Sequence, residues 1–160
     1  MGKVSDGRLK GRPILFPLKK PMPHFPTYKQ RGEWVELKFM TEAAERGFNV
    51  MQPQGDSARY DVVVERDGRF QRVQVKSTSQ RFGIGGYRAA THRRLGATYA
   101  AGEIDLLVVY VLPCKAWYII PGALVVDRPA ITLYPNRDRP WQRGHLFEPF
   151  RDAWHLLDAA

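Results

Sequence analysis

The chain has 160 residues and a formal net charge of +9, with a pI near 9.9. At this length one domain with a real core is expected, and the charge points towards polyanions, most simply nucleic acid. Cys114 is the only cysteine, which excludes an intrachain disulfide, and the histidines at 24, 92, 145 and 155 lack zinc-site spacing. Ile14 to Phe16 is too short for a signal peptide, and Ile104 to Leu112 holds Asp105 and is too short to span a bilayer. A cytoplasmic, nucleoid-associated protein is the expected setting.

The charge is unevenly placed. Residues 1–31 hold eight Lys/Arg against one Asp, for +7, and residues 77–94 hold four Arg and no acid. Residues 32–76 and 95–160 each come to −1. Residues 1–28 contain five of the twelve prolines among basic and apolar residues, including Lys19 and Lys20. That composition predicts an extended arm that lies along phosphates or wraps a neighbouring subunit, ahead of a single domain over 29–160. Ile14, Leu15, Phe16 and Phe25 favour docking on protein.

A first helix is predicted from Tyr28 to Gly47, ending at the glycine. On a wheel of about 100° per residue with Val35 at zero, Phe39, Ala43, Gly47, Met40, Ala44 and Leu37 fill an apolar arc. Glu36 falls in the middle of that arc, whereas Glu42 and Glu45 read as solvent carboxylates. An acid in a helix–sheet seam needs a hydrogen bond, an ion pair or a metal.

A short strand is expected over Phe48 to Gln52. Next comes a hairpin in which β-branched runs, Tyr60–Glu65 and Phe70–Lys76, flank Asp67-Gly68. With those two residues as the loop, Arg66 faces Arg69, Val62 faces Val73 and Asp61 faces Gln74. Asp61, Gln74 and Lys76 then share one face, and Tyr60, Val62, Val64, Val73 and Val75 the other, a core face. Asp61 with Lys76 also reads as a plain cross-strand ion pair, and Glu36 as its partner sealing helix to sheet.

From Gln80 to Leu95 the chain is glycine-rich and basic. Gly83-Ile84-Gly85-Gly86 lacks the strand-to-helix context of a dinucleotide loop. Arg81, Arg88, Arg93 and Arg94 instead suggest a flexible loop contacting phosphates. A short helix over Leu95–Gly102 and strands over Ile104–Leu112 and Lys115–Ile120 follow, with a short edge strand at Ile131–Tyr134. Pro149 suits a helix start, and Phe150, Ala153, Trp154 and Leu157 recur at helical spacing.

Glu36, Arg59-Tyr60-Asp61 and Gln74-Val75-Lys76-Ser77 together resemble the PD-(D/E)XK nuclease superfamily, most closely its group I intron-associated homing endonuclease branch and more distantly Holliday-junction resolvases. Tyr60 stands where the superfamily name has proline. Gln74 stands where most members have Asp or Glu, as is similar in the intron-endonuclease branch. The resemblance implies an α/β restriction-endonuclease-like core, a mixed central β-sheet flanked by helices, with the first helix on one face and a C-terminal helix on the other. It implies an endonuclease that hydrolyses duplex or branched DNA with Mg²⁺ or Mn²⁺, as a homodimer or homotetramer. Asp61, Gln74, the Val75 carbonyl and Glu36 would hold the metal, Lys76 would serve the attacking water, and Ser77 would bond a phosphate. Tyr99 and the later strands are assigned no chemistry. The competing reading is a DNA-binding module on the same fold that no longer cuts. An RNA-binding subunit fits less well, because few aromatics are patterned to stack bases.

Overall fold

The computed structural model describes residues 23–55, 57–92, 96–136 and 146–158. Most of the expected arm, with Lys19 and Lys20, lies outside them, as do Arg93 and Arg94. The elements in chain order are α1 (Tyr28–Glu45), β1 (Asn49–Met51), β2 (Val62–Arg66), β3 (Arg69–Thr78), β4 (Arg81–Phe82), β5 (Gly86–Ala90), β6 (Leu106–Val111), β7 (Ala116–Pro121) and β8 (Ala130–Leu133). The main sheet has the order β1-β2-β3-β6-β7, with β3 parallel to β6 and every other pair antiparallel. A second, antiparallel sheet has the order β4-β5-β8.

The hairpin register follows from its turn. Asp67 (φ 54°) and Gly68 (φ 78°) both adopt the left-handed conformation that a two-residue hairpin turn needs. The ladder then runs from Arg66↔Arg69 to Val62↔Val73, as the sequence predicts. β6 and most of β7 are buried on both faces, which explains their unbroken apolar runs. One face carries Val62, Val64, Val73, Val75, Val108 and Ile119 against Val35, Phe39 and Ala43 of α1. The opposite face carries Leu107, Val109, Tyr118 and Ile120 against Tyr87, Ala89, Ile131 and Leu133 of the second sheet. Burying a side chain such as Phe39 fully stabilises the fold by about 1.5–3 kcal/mol.

Several expectations need correction. Gln80–Leu95 is not simply a flexible loop, since β4 and β5 form an ordered hairpin that pairs with β8. Residues 97–103 run as turns and an isolated bridge from Tyr99 to Val126, not as a helix. The C-terminal stretch makes two 3₁₀ turns, Glu148–Phe150 and Trp154–Leu157, in place of an α-helix. It is interrupted at Asp152 (φ 48°), whose amide donates to the Trp117 carbonyl at 2.8 Å, so β7 takes a backbone group that a helix would need. Ala153 and Leu157 are still buried, but on the face that α1 covers and not the opposite one. Tyr60 packs with the second cluster instead of the hairpin valines.

The helix is also turned relative to its expected arc. Leu37 is 59% exposed, while Trp34 packs on Tyr110 at 6.0 Å between ring centroids and Glu42 accepts the Trp117 indole N–H at 3.0 Å. Glu42 is therefore no solvent carboxylate, and the buried arc is centred nearer Val35 and Phe39. This leaves Glu36 on the flank of the seam, half-buried. Phe25 packs against Trp34 at 5.1 Å between ring centroids, tilted by 48°, so the chain just before α1 docks on the domain. Among the described residues no helix is long and apolar enough to cross a membrane.

Candidate active site

Strands β2 and β3 part company at one point, and the candidate residues collect there. β2 stops pairing at Val62↔Val73, whereas β3 continues beside β6 as far as Thr78. Beyond Val73 the outer edge of β3 is free of β2, and the two faces of the sheet communicate around it.

Asp61 stands at this fork. Its amide donates to the Val73 carbonyl at 3.0 Å, one position off the register that would set it opposite Gln74. Its side chain makes the next link: Oδ2 accepts the Val75 amide at 2.9 Å and also the Gln74 side-chain N–H. The expected pairing of Asp61 with Gln74 is thus a side-chain contact and not a ladder pair. With its nitrogen committed to Asp61, the Gln74 amide has its oxygen left as an acceptor. Asp61 Oδ1 has no hydrogen-bond partner among the described residues.

Two connected hollows meet at these side chains. One, of about 460 Å³, is lined by Ser57, Ala58, Arg59, Asp61, Gln74, Lys76 and Tyr99. The other, of about 220 Å³, runs between α1 and the free edge of β3 and includes Tyr28, Arg31, Glu36, Val75 and Ser77 together with Asp61, Gln74 and Lys76. Glu36, Asp61, Gln74 and Lys76 therefore converge from α1, the strand-entry position and β3. Lys76 forms no ion pair with Glu36 or Asp61 among the described residues, so neither plain ion-pair reading is realised.

The electrostatics are those of an acid pair in a confined space. Glu36 is raised from 4.5 to about 7, first by burial and then by the nearby Asp61 charge, with Lys76 partly opposing both. Asp61 is raised by burial, while the Val75 amide, Lys76 and Gln74 pull the other way. A cleft that disfavours its own carboxylates favours a cation placed between them.

The donor set fits a hard divalent ion. The chain offers two carboxylates, one amide oxygen and one main-chain carbonyl, all oxygen, which suits Mg²⁺ with waters retained. Among the described residues no three His, Cys, Asp or Glu side chains gather into a metal cluster. The Gln74 and Val75 oxygens are what would complete a set built on only two acids.

Other expected residues lie near this centre or outside the description. Ser77 is half-buried and lines the smaller hollow. Arg81 and Arg88 are exposed on the β4–β5 hairpin. Sequence reasoning missed Tyr28 and Arg31 at the mouth of the Glu36 hollow, and it treated Tyr99 as structural. Tyr99 is buried, its hydroxyl has no partner among the described residues, and it lines the hollow beside Asp61.

A helix laid over a forked mixed sheet, with Asp-x(12)-Gln-x-Lys at the fork, defines a restriction-endonuclease-like protein. The model of the PD-(D/E)XK endonuclease family matches residues 27–146. The chain belongs to that family. Among solved structures it is similar to the bacterial homing endonuclease I-Ssp6803I, with 27% identity, a TM-score of 0.69 and coverage of 83% of this chain and 92% of that one. It also matches the Archaeoglobus fulgidus Holliday junction resolvase Hjc at 15% identity and a TM-score of 0.44, covering 66% of this chain and 88% of that one. No curated protein sequence matches.

Proposed function

We propose that this protein is a divalent-metal-dependent endodeoxyribonuclease that cuts duplex DNA, branched DNA included, as a homodimer or homotetramer. The observation that supports it most is the meeting of Glu36, Asp61, Gln74 and Lys76 in one cleft at the fork between β2 and β3. Similarity to a homing endonuclease at 27% identity over most of both chains supports DNA as the substrate.

Asp61, Gln74, the Val75 carbonyl and Glu36 would hold Mg²⁺ or Mn²⁺. When bound, such an ion lowers the pKa of a coordinated water and neutralises charge growing on the phosphate oxygens. The Val75 amide and Gln74 N–H hold the Asp61 carboxylate by Oδ2, leaving Oδ1 to be offered to the metal. Lys76, on the same face, orients the attacking water and steadies the negative phosphorane. Ser77 and the arginines of the hairpin and of Arg93-Arg94, with Lys19 and Lys20 of the arm, bind phosphates, and a second subunit supplies the site for the other strand.

Incubation with supercoiled plasmid, with and without Mg²⁺, tests this reading. Relaxed and linear products that appear only with metal are expected. A protein that retards duplex DNA in a gel yet never nicks it in Mg²⁺ or Mn²⁺ is instead a binding module on a nuclease fold.

A further inference from the structure

The β4–β5 hairpin is clamped at its base and bare at its tip. β5 pairs with β8 from Tyr87↔Leu133 to Ala90↔Ala130, Tyr87 and Ala89 are buried, and Thr78 Oγ1 donates to the Arg88 carbonyl at 2.6 Å. At Gly86 a Cβ would come within 2.6 Å of the Phe82 carbonyl oxygen and 2.8 Å of the Tyr134 ring, so only glycine lets the ribbon leave the body here. Past that clamp, Gly83 (φ 57°) and Gly85 (φ 74°) bracket Ile84, which is 86% exposed. Ile84 thus contributes little to the fold, since it forgoes the burial that makes an isoleucine stabilising.

The sides of the ribbon are cationic. Arg81 pairs with Tyr87 across the ladder and shares its face, while Phe82 and Arg88 lie on the other. The guanidinium carbon of Arg88 sits 5.2 Å from the Phe82 ring centroid, and that of Arg81 sits 5.9 Å from Tyr87's. Neither arginine enters an ion pair among the described residues, and no acid occurs anywhere in 77–92.

A narrow apolar turn, leaving a sheet that carries Arg81 and Arg88 exposed on opposite faces at its root, matches the major groove of B-form DNA. That groove is about 12 Å wide and admits a β-ribbon, whereas the minor groove, about 6 Å wide, does not. Arg81 and Arg88, exposed at the root of the turn, meet the phosphates that border the groove. The apolar feature on the groove floor is the thymine C5-methyl, which apolar side chains contact. We propose that the β4–β5 hairpin enters the major groove beside the cut and that Ile84 reads a thymine methyl there; this rests on duplex DNA being the substrate of the adjacent cleft. Ile84 lies eight positions after Lys76, a reach of at most about 29 Å when extended. At about 3.4 Å per base step the contacted base lies within about eight base pairs of the scissile phosphate.

The test selects bound duplexes from a randomised pool with wild type and with Ile84→Ser. It then measures affinity for the selected duplexes built with thymidine or with deoxyuridine, which removes only the methyl group. Wild type is expected to select thymine in one short block and to bind the deoxyuridine duplex roughly three- to fivefold more weakly, the effect of one buried methyl. Ile84→Ser should select nothing in that block and bind both duplexes alike, with an unchanged Tm because the side chain is exposed. Equal deoxyuridine sensitivity in the two proteins overturns the proposal. A change in oligomeric mass on Ile84→Ser also overturns it and assigns the tip to a subunit contact. Because the readout is binding, a wild type that never nicks plasmid refutes the nuclease reading while the deoxyuridine comparison still decides the role of Ile84. A wild type that binds no duplex at all overturns both.

Discussion

Replacing Glu36 with glutamine distinguishes a site acid from a seam-sealing one, because only the first role makes the effect depend on pH. In the unfolded chain this glutamate titrates at its ordinary 4.5, and in the cleft at about 7. Between those values the folded protein holds a proton that the unfolded chain has released, so stability falls as pH rises through the interval and is level on either side. At about 1.4 kcal/mol per pH unit, the interval from 4.5 to about 7 would cost roughly 3 kcal/mol for a fully enclosed group. Glu36 is only half-buried, and solvent screening brings the cost to about 1–2 kcal/mol. Glu36→Gln should therefore stabilise the metal-free protein by about 1–2 kcal/mol near pH 8 and change little near pH 4.5, where the glutamate is itself protonated. Urea unfolding of both proteins across that range, without divalent ions, measures the difference. Saturating Mg²⁺ should raise the midpoint of wild type more than that of the variant, since a ligand stabilises the form that binds it. A variant destabilised equally at both pH values would show that Glu36 serves the packing of α1 on the sheet, and the charge argument would fail.

Lys76→Ala should slow plasmid cleavage by roughly 10²–10⁴ with little change in DNA affinity, measured by single-turnover assay beside fluorescence anisotropy; a variant that cuts at the wild-type rate removes Lys76 from the chemistry. Gln74→Glu adds a negative charge to the ligand set and should tighten Mg²⁺ or Mn²⁺ binding to the free protein in calorimetry. Unchanged affinity would mean that residue 74 does not touch the ion. Tyr99→Phe deletes a buried hydroxyl that has no partner among the described residues, so Tm should hold or rise; a clear loss would show that the hydroxyl is bonded within the fold.

What was legible in the sequence is what short-range rules fix. Asp67-Gly68 set the hairpin loop, and once the loop is known, the ladder from Arg66↔Arg69 to Val62↔Val73 follows without reference to any other part of the chain, whereas the slip at Asp61 beyond it does not. The second sheet was illegible for the opposite reason. β5 offers only Tyr87 and Ala89 as an alternating apolar signal, and its partner β8 begins forty residues after β5 ends, at Ala130. Glycines 83, 85 and 86 read as flexibility, although here they meet the φ and clearance requirements of a tight ribbon. The C-terminal stripe misled because apolar spacing reports which residues are buried and not how the backbone carries them. Ala153 and Leu157 are core residues, yet the chain reaches them through a bridge from Arg151 to Tyr118 on β7.

The helix makes the same point with a consequence for the site. A wheel places residues relative to one another but cannot say where the sheet lies, because the direction of packing depends on partners remote in sequence. Here Tyr110, Trp117 and Trp154 draw α1 round so that Trp34, Phe39 and even the polar pair Lys38 and Glu42 face the aromatic cluster. Had the apolar arc been centred on Glu36, the acid would have been sealed under the sheet, with no reach to a substrate. Turned as it is, α1 gives up Leu37 to solvent and holds Glu36 at the free edge of β3, in the same hollow as Asp61 and close enough for that charge to raise its pKa. The aromatic cluster, which touches none of the proposed site residues, thus determines whether Glu36 can take part in the proposed chemistry.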